Sequence, residues 1–191
     1  MSTNGRITAL SDQVKECALN ETKRWLLEFV IGHNLCPFAR KPFESDQIRF
    51  ICSDALEDSD LFQALAQEFE LLLSDSAIET TLLIVPNALE TFTTYWDFIE
   101  GAEALIERLG LEGVLQIATF HPQYQFEGTE PDAPENQTNR SPYPLIHILR
   151  EESLSKAIKN YPDVNKIPER NVNLMNRLFN QAKADQGAPT K

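Results

Sequence analysis

Two apolar runs, Thr81-Leu82-Leu83-Ile84-Val85 and Val114-Leu115-Gln116-Ile117-Ala118-Thr119-Phe120, bracket the stretch whose reading decides the fold. Each is short, rich in β-branched residues and closed by a breaker: Pro86 ends the first, and His121-Pro122 the second. Between them Tyr95, Phe98, Ile99, Ala102, Leu105, Ile106 and Leu109 recur at helical spacing. Thr94 and Asp97 stand as a capping pair at the start, and Gly110 as the stop. Strand, helix, strand with a connection of this length implies a crossover between strands that run the same way.

Working outward, Ile48-Arg49-Phe50-Ile51-Cys52 reads as an earlier strand, followed by a helix opened by Ser59 with Phe62, Leu65, Phe69, Leu72 and Leu73 on its face. A first helix runs from about Val14 to Gly32, and Leu145 to Leu149 is a fourth strand whose direction is open. Helices from Ser153 to Lys159 and from Pro168 onward complete the chain. The expectation is a single α/β layered domain over residues 11–181, with a small four-stranded sheet, mainly parallel or mixed, flanked by helices. Residues 1–10 and 182–191 lack an apolar period and are expected to be flexible.

At 191 residues the chain is long enough to bury a full core, roughly 70% of its unfolded surface, without staples. Cys17, Cys36 and Cys52 are odd in number and unpaired in spacing, so neither a disulfide framework nor a structural zinc site is indicated. The absence of signal-peptide and membrane-spanning patterns points to a soluble, cytoplasmic protein. Its 17 Lys+Arg against 29 Asp+Glu give a net charge of −12, which opposes approach to nucleic acid. Oligomeric state and cofactor are not legible.

Functional residues concentrate between the last two strands, in F-H-P-Q-Y-Q-F-E-G-T-E-P-D-A-P-E-N-Q-T-N-R-S-P-Y-P-L-I-H-I-L-R, Phe120 to Arg150. Aperiodic connections longer than ~12–15 residues are usually functional or disordered, and Tyr124, Phe126 and Tyr143 argue against disorder. In open parallel sheets ligands gather beyond the carboxyl ends of strands, where His121 sits. His121 is therefore the candidate general acid/base, its rival role being to cap the loop. His147 shares a strand face with Leu145 and Leu149, which suits either a core histidine or a second catalytic group. Arg140 and Arg150 are candidate clamps for a carboxylate or phosphate, with Asn136, Asn139, Asp132 and Tyr124 around them; tight-turn hydrogen bonding and surface ion pairing are the structural alternatives.

Cys36, in Asn34-Leu35-Cys36-Pro37-Phe38-Ala39, lies outside any periodic segment and is the candidate nucleophile. A preceding helix C-terminus disfavours its thiolate, so Arg40, Lys41 or a neighbouring histidine would have to reverse that effect. A packing cysteine is the rival. A metal site would draw on His121, His147 and Asp132 or Glu130, a spacing that matches no compact ligand motif. His33 continues the apolar side of the first helix, which suits packing.

The run N-L-C-P-F-A, then L-G-L-E-G-V-L-Q-I-A-T-F-H-P-Q-Y-Q-F, N-Q-T-N-R-S-P-Y-P and H-I-L-R-E, from Asn34 to Glu151, resembles the bacterial domain-of-unknown-function family 1415. The likeness extends from about Trp25 to Phe179 and implies one stand-alone domain without naming a reaction. His33 departs from the family pattern, where an apolar residue is expected. Three functions follow as expectations: an enzyme acting on a small anionic metabolite through Cys36, His121 and His147; a non-catalytic anion-binding or regulatory module; and a metal-dependent enzyme using both histidines.

Overall fold

The computed structural model describes residues 10–187, so the expected flexibility of residues 1–9 and 188–191 lies outside the described residues. Ser11 caps the first helix, α1 (Asp12–Arg24), by accepting from the Val14 amide. The helix then widens into a π-helical stretch, Trp25–Ile31, marked by Gly32 N–H donating to Leu27 O at 3.0 Å. Gly32 stands at its end, where a Cβ would lie 2.0 Å from the Glu28 carbonyl oxygen. His33 is exposed beyond the stop, its ring edge-on to Phe29, and does not pack in the core.

After a short α2 (Arg40–Glu44), the chain forms β1 (Ile48–Cys52), α3 (Asp58–Ser74), β2 (Thr80–Ile84), α4 (Phe92–Arg108) and β3 (Leu115–Phe120). A loop containing a 3-10 turn (Pro134–Asn139) leads to β4 (Leu145–Arg150), and α5 (Glu151–Lys159) and α6 (Ile167–Gly187) follow. Helix α4 starts one turn before the expected Thr94–Asp97 pair: Thr91 is the cap, and its hydroxyl accepts from the Thr94 amide at 3.2 Å. Helix α6 runs past residue 182, where a flexible tail was expected to begin.

The sheet is mixed, in the order β1-β2-β4-β3. Strands β1 and β2 are parallel neighbours, as the crossover through α3 requires. The second crossover is split: β4 lies antiparallel between β2 and β3, pairing His147 with Leu82 on one side and Ala118 on the other. Thus β1, β2 and β3 share a direction, but β2 and β3 do not touch as the expected parallel pair.

One sheet face carries Leu83, Ile146, Ile148 and Leu115 against Leu61, Leu65, Phe69 and Leu72 of α3 and Tyr95, Phe98, Ile99, Ala102 and Ile106 of α4. Fully burying each such Leu, Ile or Phe contributes about 1.5–3 kcal/mol. Leu73 and Leu109, expected on these faces, point outward instead. Glu68 enters this layer and is paired bidentately by Arg49, at 2.8 and 3.1 Å. The opposite face carries Leu82, Ile84 and Leu145 against Ala18, Leu26, Val30, Ile31, Leu35 and Met175. That second layer covers only part of its face. Among the described residues, no helix is long and apolar enough to cross a membrane.

Candidate functional site

The polar loop between β3 and β4 spends its polar groups on itself. His121 is fully buried. The Gln123 amide donates to its Nδ1 at 3.0 Å, so the proton sits on Nε2 and is donated to Leu89 O, also at 3.0 Å. Burial lowers the pKa of the ring, against the opposing effect of the Leu89 bond. Leu89 itself stands at φ 60°, a left-handed conformation costly for leucine that this bond helps to hold. Both nitrogens of His121 are engaged, and neither faces open space from which a substrate proton could be taken.

The other loop candidates behave similarly. Asn136 is fully buried: its Oδ1 accepts from the Phe126 amide at 3.0 Å and the Thr129 hydroxyl at 2.9 Å, and its Nδ2 donates to Glu130 O at 2.8 Å. Asn139 donates to Thr119 O at 3.1 Å and ties the loop to β3. The Arg140 guanidinium donates to Tyr124 O at 3.1 Å and Pro131 O at 2.6 Å. Tyr124 is buried in an aromatic stack with Phe92, Trp96 and Phe126. Asp132 is exposed at the loop surface. Short polar side chains that satisfy nearby backbone are how a long loop becomes rigid.

Arg150 is also committed. Its guanidinium donates to Asp75 O at 2.9 Å, to Ile78 O at 3.1 Å and to Leu72 O. These are the carbonyls at the end of α3 and just beyond it, which an arginine satisfies well. The guanidinium is thus a helix cap and is not paired with Glu151, although Arg150 also lines the cavity described next.

The open volume lies elsewhere, on the uncovered part of the second sheet face. A cavity of about 590 Å³ is bounded by the sheet residues Ile48, Thr80, Leu82, Ala118, Phe120, His147 and Leu149. Trp25, Leu26 and Val30 of the π-helical stretch, the Cys36–Ala39 loop, and Ser153, Leu154 and Ala157 of α5 close it. Small-molecule sites usually have volumes of roughly 300–1,000 Å³ and mainly apolar walls. The cavity sits toward the amino ends of β1 and β2, not beyond the carboxyl end of β3 where the loop had directed attention.

Cys36, His147 and Arg150 all line this cavity, and His121 does not. Thr80 fixes the state of His147. The Thr80 hydroxyl donates to Ile148 O at 2.5 Å, so toward His147 Nε2, 2.7 Å away, its oxygen can only accept. His147 therefore carries its proton on Nε2, which leaves the Nδ1 lone pair without a partner among the described residues yet not sealed from the cavity. Burial pushes the His147 pKa down to about 4, so the ring is neutral at pH 7.

Cys36 is held by opposing influences. Burial pushes the thiol pKa up, while the amides of Phe38 and Ala39 and the charge of Arg170 pull it down; burial is the largest and prevails. Arg40, one of the groups that was to reverse the helix-end effect, instead bonds Ile31 O and Glu44, each at 3.4 Å. At the cavity mouth Lys41 has no ion-pair partner among the described residues, whereas Lys156 is paired with Glu152 at 2.5 Å. Glu79 also lies on the lining.

The structure does not bring the two histidines of the expected metal site together. His121 lies against Tyr95 and Phe92 of α4, while His147 faces the other side of the sheet. Among the described residues, no group of three or more His, Cys, Asp or Glu could hold a metal ion.

The sequence gives no sign that Trp25, Thr80 and the expected helix α5 wall a cavity. A threonine in a strand reads as β-propensity, and a tryptophan at helical spacing reads as core. Trp25 also links the two regions, because its indole N–H donates to Arg140 O at 3.0 Å. The polar loop thereby positions one wall of the cavity.

No curated protein and no solved structure matches the chain. The family model described as "Protein of unknown function (DUF1415)" matches residues 17–185, a span that includes both the loop and every cavity wall; the chain belongs to that family.

Proposed function

We propose that the cavity binds a small, mainly apolar molecule bearing one anionic group, the anion resting near Lys41 at the mouth. The observation that carries this reading is the unfilled apolar face of the sheet, walled by Trp25, Phe38 and Phe120. Lys41, on the cavity lining and without an ion-pair partner among the described residues, is a local attraction for a carboxylate or phosphate in a strongly acidic protein. Arg140 does not line the cavity, and Arg150, which does, has its guanidinium taken up by backbone carbonyls.

Binding is favoured over turnover by the state of Cys36, since the nucleophile would be the thiolate and burial works against it. Catalysis by Cys36 is the second reading, supported by its sharing a cavity with His147. The test is equilibrium binding of 3-phenylpropionate and related aromatic acids to the full chain, followed by Trp fluorescence. Replacement of Ala118, whose side chain borders the cavity, by phenylalanine should abolish a saturable signal. Equal binding by A118F and the native protein would sink the proposal. A measurable chemical conversion of a bound acid, lost in Cys36→Ser, would favour the second reading.

A further inference from the structure

From the geometry of the cavity's inner wall we infer that its ligand carries a neutral hydrogen-bond donor, a phenolic hydroxyl, seated on Nδ1 of His147. The inference rests on the binding reading above and names the chemistry of the ligand's buried end. Ile148 O can only accept, so the Thr80 hydroxyl must donate to it; the Thr80 oxygen then accepts from His147 Nε2–H. His147 is thereby locked as an acceptor at Nδ1, an atom with no hydrogen-bond partner among the described residues.

An acceptor in an apolar wall selects against another acceptor. A carboxylate there would place two lone pairs face to face, and a charged ammonium would lose its hydration to reach an uncharged partner. A neutral hydroxyl matches both requirements. The neighbouring surfaces are aromatic: the Phe120 ring lies 6.2 Å from His147 and 5.3 Å from Trp25, centre to centre. Because the Trp25 N–H is already donated to Arg140 O, Trp25 presents hydrocarbon rather than a donor. A flat ring with its hydroxyl inward and its anionic group outward toward Lys41 fits these constraints.

Three probes separate the claims: 3-(4-hydroxyphenyl)propionate, 3-phenylpropionate, and 3-(4-methoxyphenyl)propionate, which keeps the oxygen but cannot donate. The native protein should bind the hydroxyl compound about five- to tenfold more tightly than the methoxy one, the worth of one hydrogen bond in such a site. Thr80→Ser should keep that preference. Thr80→Val, which unlocks the ring, should reduce it to within about twofold while 3-phenylpropionate still binds. Nitrogen-15 spectra of native His147 provide a check that needs no variant: Nε2 should be protonated without ligand, and the Nδ1 signal should move when the hydroxyl compound is added. Equal binding of the hydroxyl and methoxy compounds, or a protonated Nδ1 in the free protein, overturns this inference and leaves the binding reading intact. Failure of all three compounds to bind overturns both.

Discussion

The β3–β4 loop and the cavity beneath the π-helical stretch are opposites in composition and in what their polar groups have left to give. The loop is rich in polar side chains, and His121, Asn136, Asn139 and Arg140 among them are taken up by backbone groups within the protein. The cavity is walled mostly by hydrocarbon, but Nδ1 of His147 and the ammonium of Lys41 are unpaired among the described residues. Polar density therefore marks rigidity here, and unspent polarity marks the candidate site. A hydrogen bond already made to a carbonyl is a poor resource for a ligand, since breaking it costs about what the new bond returns.

The comparison breaks most severely at Asn136. Asn136→Leu should destabilise the protein by about 3–4 kcal/mol, because it strands the Phe126 amide and withdraws the donor to the Glu130 carbonyl, leaving the Thr129 hydroxyl with Phe126 O alone. Urea unfolding measures this, and a loss below about 1 kcal/mol would show that the loop tolerates unpaired groups.

Next comes acid. His147 has its pKa pushed down to about 4 from 6.5, so as pH falls through that window the unfolded chain takes up a proton that the folded chain resists. Stability should be intact above pH 6.5 and decline toward pH 4, by up to about 3 kcal/mol for this residue. His121, also lowered by burial, contributes in the same direction. Unfolding midpoints from pH 7 to 4 should show a shallower decline in His147→Gln; an unchanged slope would mean that His147 titrates normally.

Arg150→Ala should cost about 2 kcal/mol by uncapping the end of α3, with hydrogen exchange rising first around Asp75 and Ile78. A mutant of native stability that had lost ligand affinity would restore Arg150 as an anion clamp. The smallest effect belongs to the cavity mouth: Lys41→Ala should alter the melting free energy by under about 0.5 kcal/mol while weakening a bound acid several-fold. That pairing of a silent melt with a weakened ligand is the signature the loop residues should never give.

Much of the fold was legible because it rests on local period. Alternation and breakers marked β1 to β4, and 3.6-residue spacing marked α1, α3 and α4. The splitting of β2 from β3 was not legible, since strand order is a matter of partners far apart in sequence. Nor was the π-helical widening at Trp25, which an i, i+3, i+4 pattern does not distinguish from ordinary helix. Cys36 and His147 could be named as candidates, but the loop residues were misread for one reason: their partners are backbone carbonyls and amides that every sequence contains. Thr80 carried no signal at all, because its role depends on the His147 ring standing beside it.

The position of β4 has a consequence during synthesis. Among the described residues it is the last strand to emerge, yet it occupies an interior place and is the only strand that pairs with β3. Until Arg150 has left the ribosome, β1 and β2 can zip together, but β3 has no ladder to join and the inner wall holding His147 does not exist. A nascent chain ending in the loop would carry an unmated apolar strand, and assembly must wait for the distant pairing rather than grow outward from a local hairpin.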